Sequence, residues 1–69
     1  MKRPALNQAI ILDFYYANRR IPDFEEAWYM IEEVYDANVT NDEITKMVFQ
    51  AIADAYNVLI EAGEVKINA

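Results

Sequence analysis

Ile10-Ile11-Leu12-Asp13-Phe14-Tyr15-Tyr16 is the stretch on which the fold turns. Its β-branched and aromatic residues suit a strand as well as a helix, and so short an apolar run has no periodicity to decide between them. Pro4 favours the helix, because it suits a first turn, where its missing N–H would have no partner anyway. The first predicted helix therefore covers residues 4–18. It is apolar nearly all round, with Asn7, Gln8, Asp13 and Asn18 as its polar relief, so it should be enclosed by other helices. Asp13, among Leu6, Ala9 and Ala17 on the helical wheel, should find a cation in Arg19, Arg20 or Lys2, since a buried charge is costly unless paired.

Outward from that stretch the start and stop signals are helical. Pro22 and Asp23 open a second segment, with Glu26 placed to reach back to the cap, and predict a helix over residues 23–37. On a wheel, Phe24, Ala27, Trp28, Ile31, Val34 and Tyr35 share one side, and Glu25, Glu26, Glu32, Glu33 and Asp36 the other. Thr40 and Glu43 form a second capping pair, and Gly63 stands where a left-handed terminating residue is wanted, giving a third helix over residues 41–62. That helix buries Ile44, Val48, Ala51, Ile52, Ala55, Leu59 and Ala62 on one stripe. Phe49, Tyr56 and Ile60 widen its apolar arc, so it needs two neighbours. The alternation in Glu64-Val65-Lys66-Ile67-Asn68 allows a short strand or an extended tail. The fold class is all-α: a small three-helix bundle in one domain, residues 1–69, with that tail at its C-terminus.

With 69 residues the chain sits near the size at which one core supplies only about 3–5 kcal/mol. It has no cysteine or histidine for a disulfide or a structural zinc, so association is the remaining source of stability. The apolar fraction, 55%, is too high for a disordered chain despite a net charge of −6. In a monomeric bundle one side of the first helix would stay wet, exposing some of Ile11, Leu12, Tyr15 and Tyr16. A homodimer through those residues and through Phe49, Tyr56 and Ile60 of the third helix would cover them. No run approaches the roughly 18 apolar residues of a membrane span, and the missing cysteines fit a reducing compartment, so a cytoplasmic location is expected.

Serine, cysteine and histidine are all absent, which removes the usual nucleophile–base pairs. Thr40 is explained by a cap and Thr45 by an exposed helix position. One glycine cannot make a phosphate-cradling loop. Glu32 and Asp36 could bracket a cation, but that spacing is common on any solvated helix face, and no calcium-binding loop is present. The chain is thus expected to be non-catalytic, with no metal and no cofactor.

The charge distribution points elsewhere. From residue 21 to residue 45 stand Asp23, Glu25, Glu26, Glu32, Glu33, Asp36, Asp42 and Glu43, and no lysine or arginine. Such a face keeps an apolar protein soluble, and it also suits a basic partner such as a nucleic-acid-binding protein whose phosphate site it occupies. Tyr29 falls among Glu25, Glu32, Glu33 and Asp36 rather than with the core, as an interface aromatic would. These five form the expected partner-binding site of a small acidic regulator or inhibitor of the phage or mobile-element type. Leu59-Ile60-Glu61-Ala62-Gly63-Glu64-Val65-Lys66-Ile67 resembles the passage from recognition helix to wing in a winged helix-turn-helix domain. That resemblance implies the alternative, a nucleic-acid-binding regulator. The third helix lacks the motif's break and carries only Lys46 as a cation, which disfavours direct nucleic-acid binding.

Overall fold

Residues 10–16 lie within a helix. The computed structural model describes residues 4–35 and 39–65, with α1 at Pro4–Asn18, α2 at Phe24–Glu32 and α3 at Asn41–Glu61, and no strand among the described residues. The start of α1 follows from Pro4. At its end the Asn18 side-chain amide donates to the Phe14 carbonyl at 3.0 Å, and the Arg19 amide to that of Tyr15 at 2.6 Å. Arg19 takes a left-handed conformation, φ 58°, which turns the chain out of the helix.

Both later helices start as their sequences predict. The Asp23 carboxylate accepts the Glu26 amide at 2.8 Å while the Glu26 carboxylate accepts the Asp23 amide at 3.0 Å, a complete capping box. Thr40 Oγ1 accepts the Glu43 amide at 3.2 Å. At the end of α3 the Gly63 amide donates to Ile60 and that of Glu64 to Leu59, with Gly63 at φ 78°. This is the Schellman arrangement, and it needs the left-handed residue that Gly63 provides.

The end of α2 departs from expectation. Instead of reaching residue 37 it stops at Glu32, and the Val34 and Tyr35 amides donate three residues back, to Ile31 and Glu32. Carboxylates at Glu32 and Glu33 sit at the negative end of the helix dipole, with no basic residue in the last turn to offset them. The tighter turn breaks the 100° spacing, so Val34, predicted to face the core, is exposed, while Tyr35 stays half-buried. Residues 36–38 and 66–69, including Asp36 and most of the predicted tail, lie outside the described residues.

Helix α3 packs on both other helices, most extensively on α1, and α1 meets α2 less closely. The core consists of Ile11, Ala27, Ile31, Ile44, Met47, Val48, Ala51, Ala55 and Leu59. Ile11, Ile31, Val48 and Leu59 are the largest enclosed side chains, each adding roughly 1.5–3 kcal/mol by burial. Met47 joins the core although the stripe read from the sequence omits it, and Ala62, which the stripe includes, is exposed.

Two helices do not enclose α1, and of the residues predicted to stay wet Tyr16 is exposed, Leu12 and Tyr15 are half-buried and Ile11 is buried. Ala5, Ala9, Asp13, Tyr16 and Ala17 face outward, so the open side is mostly alanine. Asp13 is exposed rather than buried, and the arginines pair elsewhere, Arg19 with Glu64 at 3.8 Å and Arg20 with Glu26 at 2.9 Å. Asn7, expected as polar relief, is instead buried, 2% exposed, and its Oδ1 accepts the Tyr35 hydroxyl at 2.9 Å. No buried side-chain nitrogen or oxygen among the described residues lacks a partner.

Candidate functional site

Helical spacing alone places Glu25, Tyr29, Glu32 and Glu33 on one side of α2, away from Ala27 and Ile31. Tyr29 is 57% exposed, Glu25 and Glu33 are exposed, and Glu32 is half-buried. The fifth predicted residue, Asp36, falls outside the described residues. The ion pairs among the described residues engage Glu26 and Glu64 rather than Glu25, Glu32 or Glu33.

Glu26 does not belong to this open face. Both Arg20 guanidinium Nη atoms donate to its two carboxylate oxygens at 2.9 Å, and with the Asp23 amide they hold its carboxyl at about 2, below the ordinary 4.5. The same bond raises the Arg20 pKa. Arg20 also lies over the Phe14 ring, 4.9 Å from its centroid. An arginine just outside the cation-free stretch thus neutralises one of its acids.

Beside Tyr29 the structure places aromatic residues that the sequence had assigned elsewhere. Trp28 meets Tyr29 with ring centroids 5.4 Å apart and planes at 79°. Phe24 packs on Phe49 of α3 at 4.6 Å, and both are exposed, 37% and 62%. Side chains on a helix lean toward its N-terminus, so Phe24, the first residue of α2, projects past the helix start onto α3. Phe24, Glu25, Trp28 and Tyr29 line an open groove of about 370 Å³. Trp28 is fixed as one wall, because its indole N–H donates to Thr45 Oγ1 at 3.1 Å and Thr45 in turn donates to the Asn41 carbonyl at 2.9 Å. Thr45 is therefore a half-buried hydrogen-bonding group and not merely an exposed helix position. The i, i+4 pairs Phe24 with Trp28 and Glu25 with Tyr29 were the sequence signal for this groove.

The predicted self-association residues are dispersed. Ile11 is fully enclosed in the chain's own core and is withdrawn from any outer surface. Leu12 and Tyr15 are half-buried and Tyr16 is exposed on α1. Phe49, Tyr56 and Ile60 share one side of α3, with Phe49 and Tyr56 exposed and Ile60 half-buried.

Among the described residues no cluster of three or more metal-ligating side chains occurs, and no helix is long and apolar enough to cross a membrane. Helix α3 runs unbroken over Asn41–Glu61, without the interruption of a helix-turn-helix motif. Fold and site together define a three-helix protein that presents an aromatic groove bordered by the Glu25 carboxylate. In comparisons with known proteins no family model matches the chain, and neither does any curated protein or solved structure.

Proposed function

We propose that this chain is a non-catalytic protein–protein interaction module, a small acidic regulator or inhibitor that binds a basic partner through the outer face of α2. One observation carries the reading: Tyr29, 57% exposed, stands beside Trp28 with Glu25, Glu32 and Glu33 on the same face and the Arg20 cation committed to Glu26. Exposed carboxylates steer a basic partner into encounter and select against acidic ones, while a desolvated aromatic prolongs the complex. A nucleic-acid-binding protein, whose surface is built to receive phosphate charges, is a partner of this kind. A phage or mobile-element inhibitor acting in the cytoplasm fits such a role. Self-association would use Tyr16, with Leu12 and Tyr15 beside it, on α1 and the stripe of Phe49, Tyr56 and Ile60 on α3, without the enclosed Ile11.

The test is capture of partners from lysate with and without nuclease, followed by binding kinetics of variants. Reversal of Glu25 and Glu32 to lysine should slow association and flatten its salt dependence. Tyr29→Ala should speed dissociation, by about 1–3 kcal/mol if the ring is an interface anchor. If both variants bind the captured basic protein as wild type does, the acidic face is only a solubility coat. Recovery of nucleic acid that survives high salt, without a basic protein, would favour the alternative regulator instead.

A further inference from the structure

We infer that the groove formed by Phe24, Trp28 and Tyr29 and bordered by Glu25 takes an arginine side chain of the basic partner. This rests on the reading of the α2 face as a partner site and gives that site its ligand chemistry.

The groove, at about 370 Å³, is near the lower end of ligand-binding pockets and so suits a side chain rather than a large molecule. Three of its four lining residues are aromatic, and the fourth is a carboxylate. An apolar occupant would desolvate Glu25 without giving it a partner, and an anion would be repelled by Glu25, Glu32 and Glu33 together. A cation satisfies both features, through attraction to the ring faces and through the carboxylate. Guanidinium fits better than ammonium, since it is planar, more weakly hydrated, stacks on rings and can donate two parallel bonds to one carboxylate.

The same chemistry occurs inside this chain. Arg20 lies over the Phe14 ring at 4.9 Å while its two Nη atoms donate to Glu26 at 2.9 Å, so ring, guanidinium and carboxylate are combined between α1 and the first turn of α2. The groove offers the ring and the carboxylate, and among the described residues the arginines pair with Glu64 and Glu26 and not with Glu25. Its walls are held before binding, Trp28 by Thr45 and Phe24 by Phe49, which lowers the ordering cost of filling it.

The experiment uses the full chain and three labelled peptides with lysines at both ends and a central arginine, lysine or citrulline, the last being an uncharged isostere of arginine. Label anisotropy reports binding anywhere on the acidic face. Fluorescence of Trp28, the chain's single tryptophan, reports the groove. The arginine peptide should saturate both signals, and the citrulline peptide should bind roughly 3- to 30-fold more weakly, the range expected for one cation–π contact. Lysine should fall between them. Glu25→Gln and Tyr29→Ala, checked for retained helix by circular dichroism, should bring the arginine and lysine peptides down to the residual affinity of the citrulline peptide. Equal anisotropy titrations for all three peptides with no change at Trp28 would overturn the groove assignment and leave the basic-partner reading standing. If no peptide binds at low salt, both fall.

Discussion

Tyr35→Phe is a sensitive test of how this small fold is held together. The Tyr35 hydroxyl donates at 2.9 Å to Asn7 Oδ1, and Asn7, at 2% exposure, has almost no access to water. Removing the donor leaves a buried acceptor short of a partner, a loss of about 1–3 kcal/mol. A domain of this size has only about 3–5 kcal/mol to lose. With a melting shift of about 4–8 °C per kcal/mol at this length, the variant should melt at least several degrees lower. Asn7→Leu should also destabilise, because it removes the acceptor of this bond and buries its side chain where a polar group was matched. The double variant removes both ends of the bond together, so its loss should fall short of the sum of the single losses, with a coupling of about 1 kcal/mol in a double-mutant cycle. Urea unfolding followed by circular dichroism measures all four species. A Tyr35→Phe midpoint equal to wild type, or strictly additive single changes, would refute the view that this bond ties the turn after α2 to α1.

Three further outcomes are expected. Arg19→Gly should raise stability by roughly 0.5–1 kcal/mol, since a left-handed L-residue costs about 1–2 kcal/mol, part of which is offset by glycine's larger unfolded-state entropy. The exposed Arg19–Glu64 contact at 3.8 Å contributes little to that balance, and a lower melting temperature would count against the strain at φ 58°. The Glu26 carboxyl, held at about 2 by Arg20 and the Asp23 amide, has a folded pKa below its ordinary 4.5. Its contribution is therefore complete above pH 4.5 and lost as pH falls toward 2, so Glu26→Gln should show a shallower decline in melting temperature over that window than wild type. Phe49→Lys should abolish any concentration-dependent association seen by sedimentation, as it places a charge in the α3 stripe; an unchanged oligomer would locate the contact elsewhere.

The helix starts and the stop at Gly63 were legible in the sequence because each depends on groups within four residues of one another, whereas the early end of α2 was not. Pro4, the Asp23–Glu26 pair, the Thr40–Glu43 pair and Gly63 all act where they were read. The open face of α2 was legible for the same reason, since 100° spacing alone sets Tyr29 among Glu25, Glu32 and Glu33. The sequence also settles which side-chain chemistries are missing, as no fold can create a histidine, cysteine or serine. Which apolar side chains stay wet was decided only by the tertiary structure. Phe24, on the apolar side of its wheel, is exposed because it leans past the start of α2 onto Phe49, and Val34 is exposed because α2 tightens and stops early. Asn7 looked like a surface residue until Tyr35, 28 positions away, supplied its hydrogen bond. Ile11, expected to serve a second copy, is covered by the chain's own core, and the outer face of α1 is mostly alanine. Local rules fix the direction a side chain takes from its own helix. Whether it then meets water or protein depends on the length and position of helices far away in the sequence.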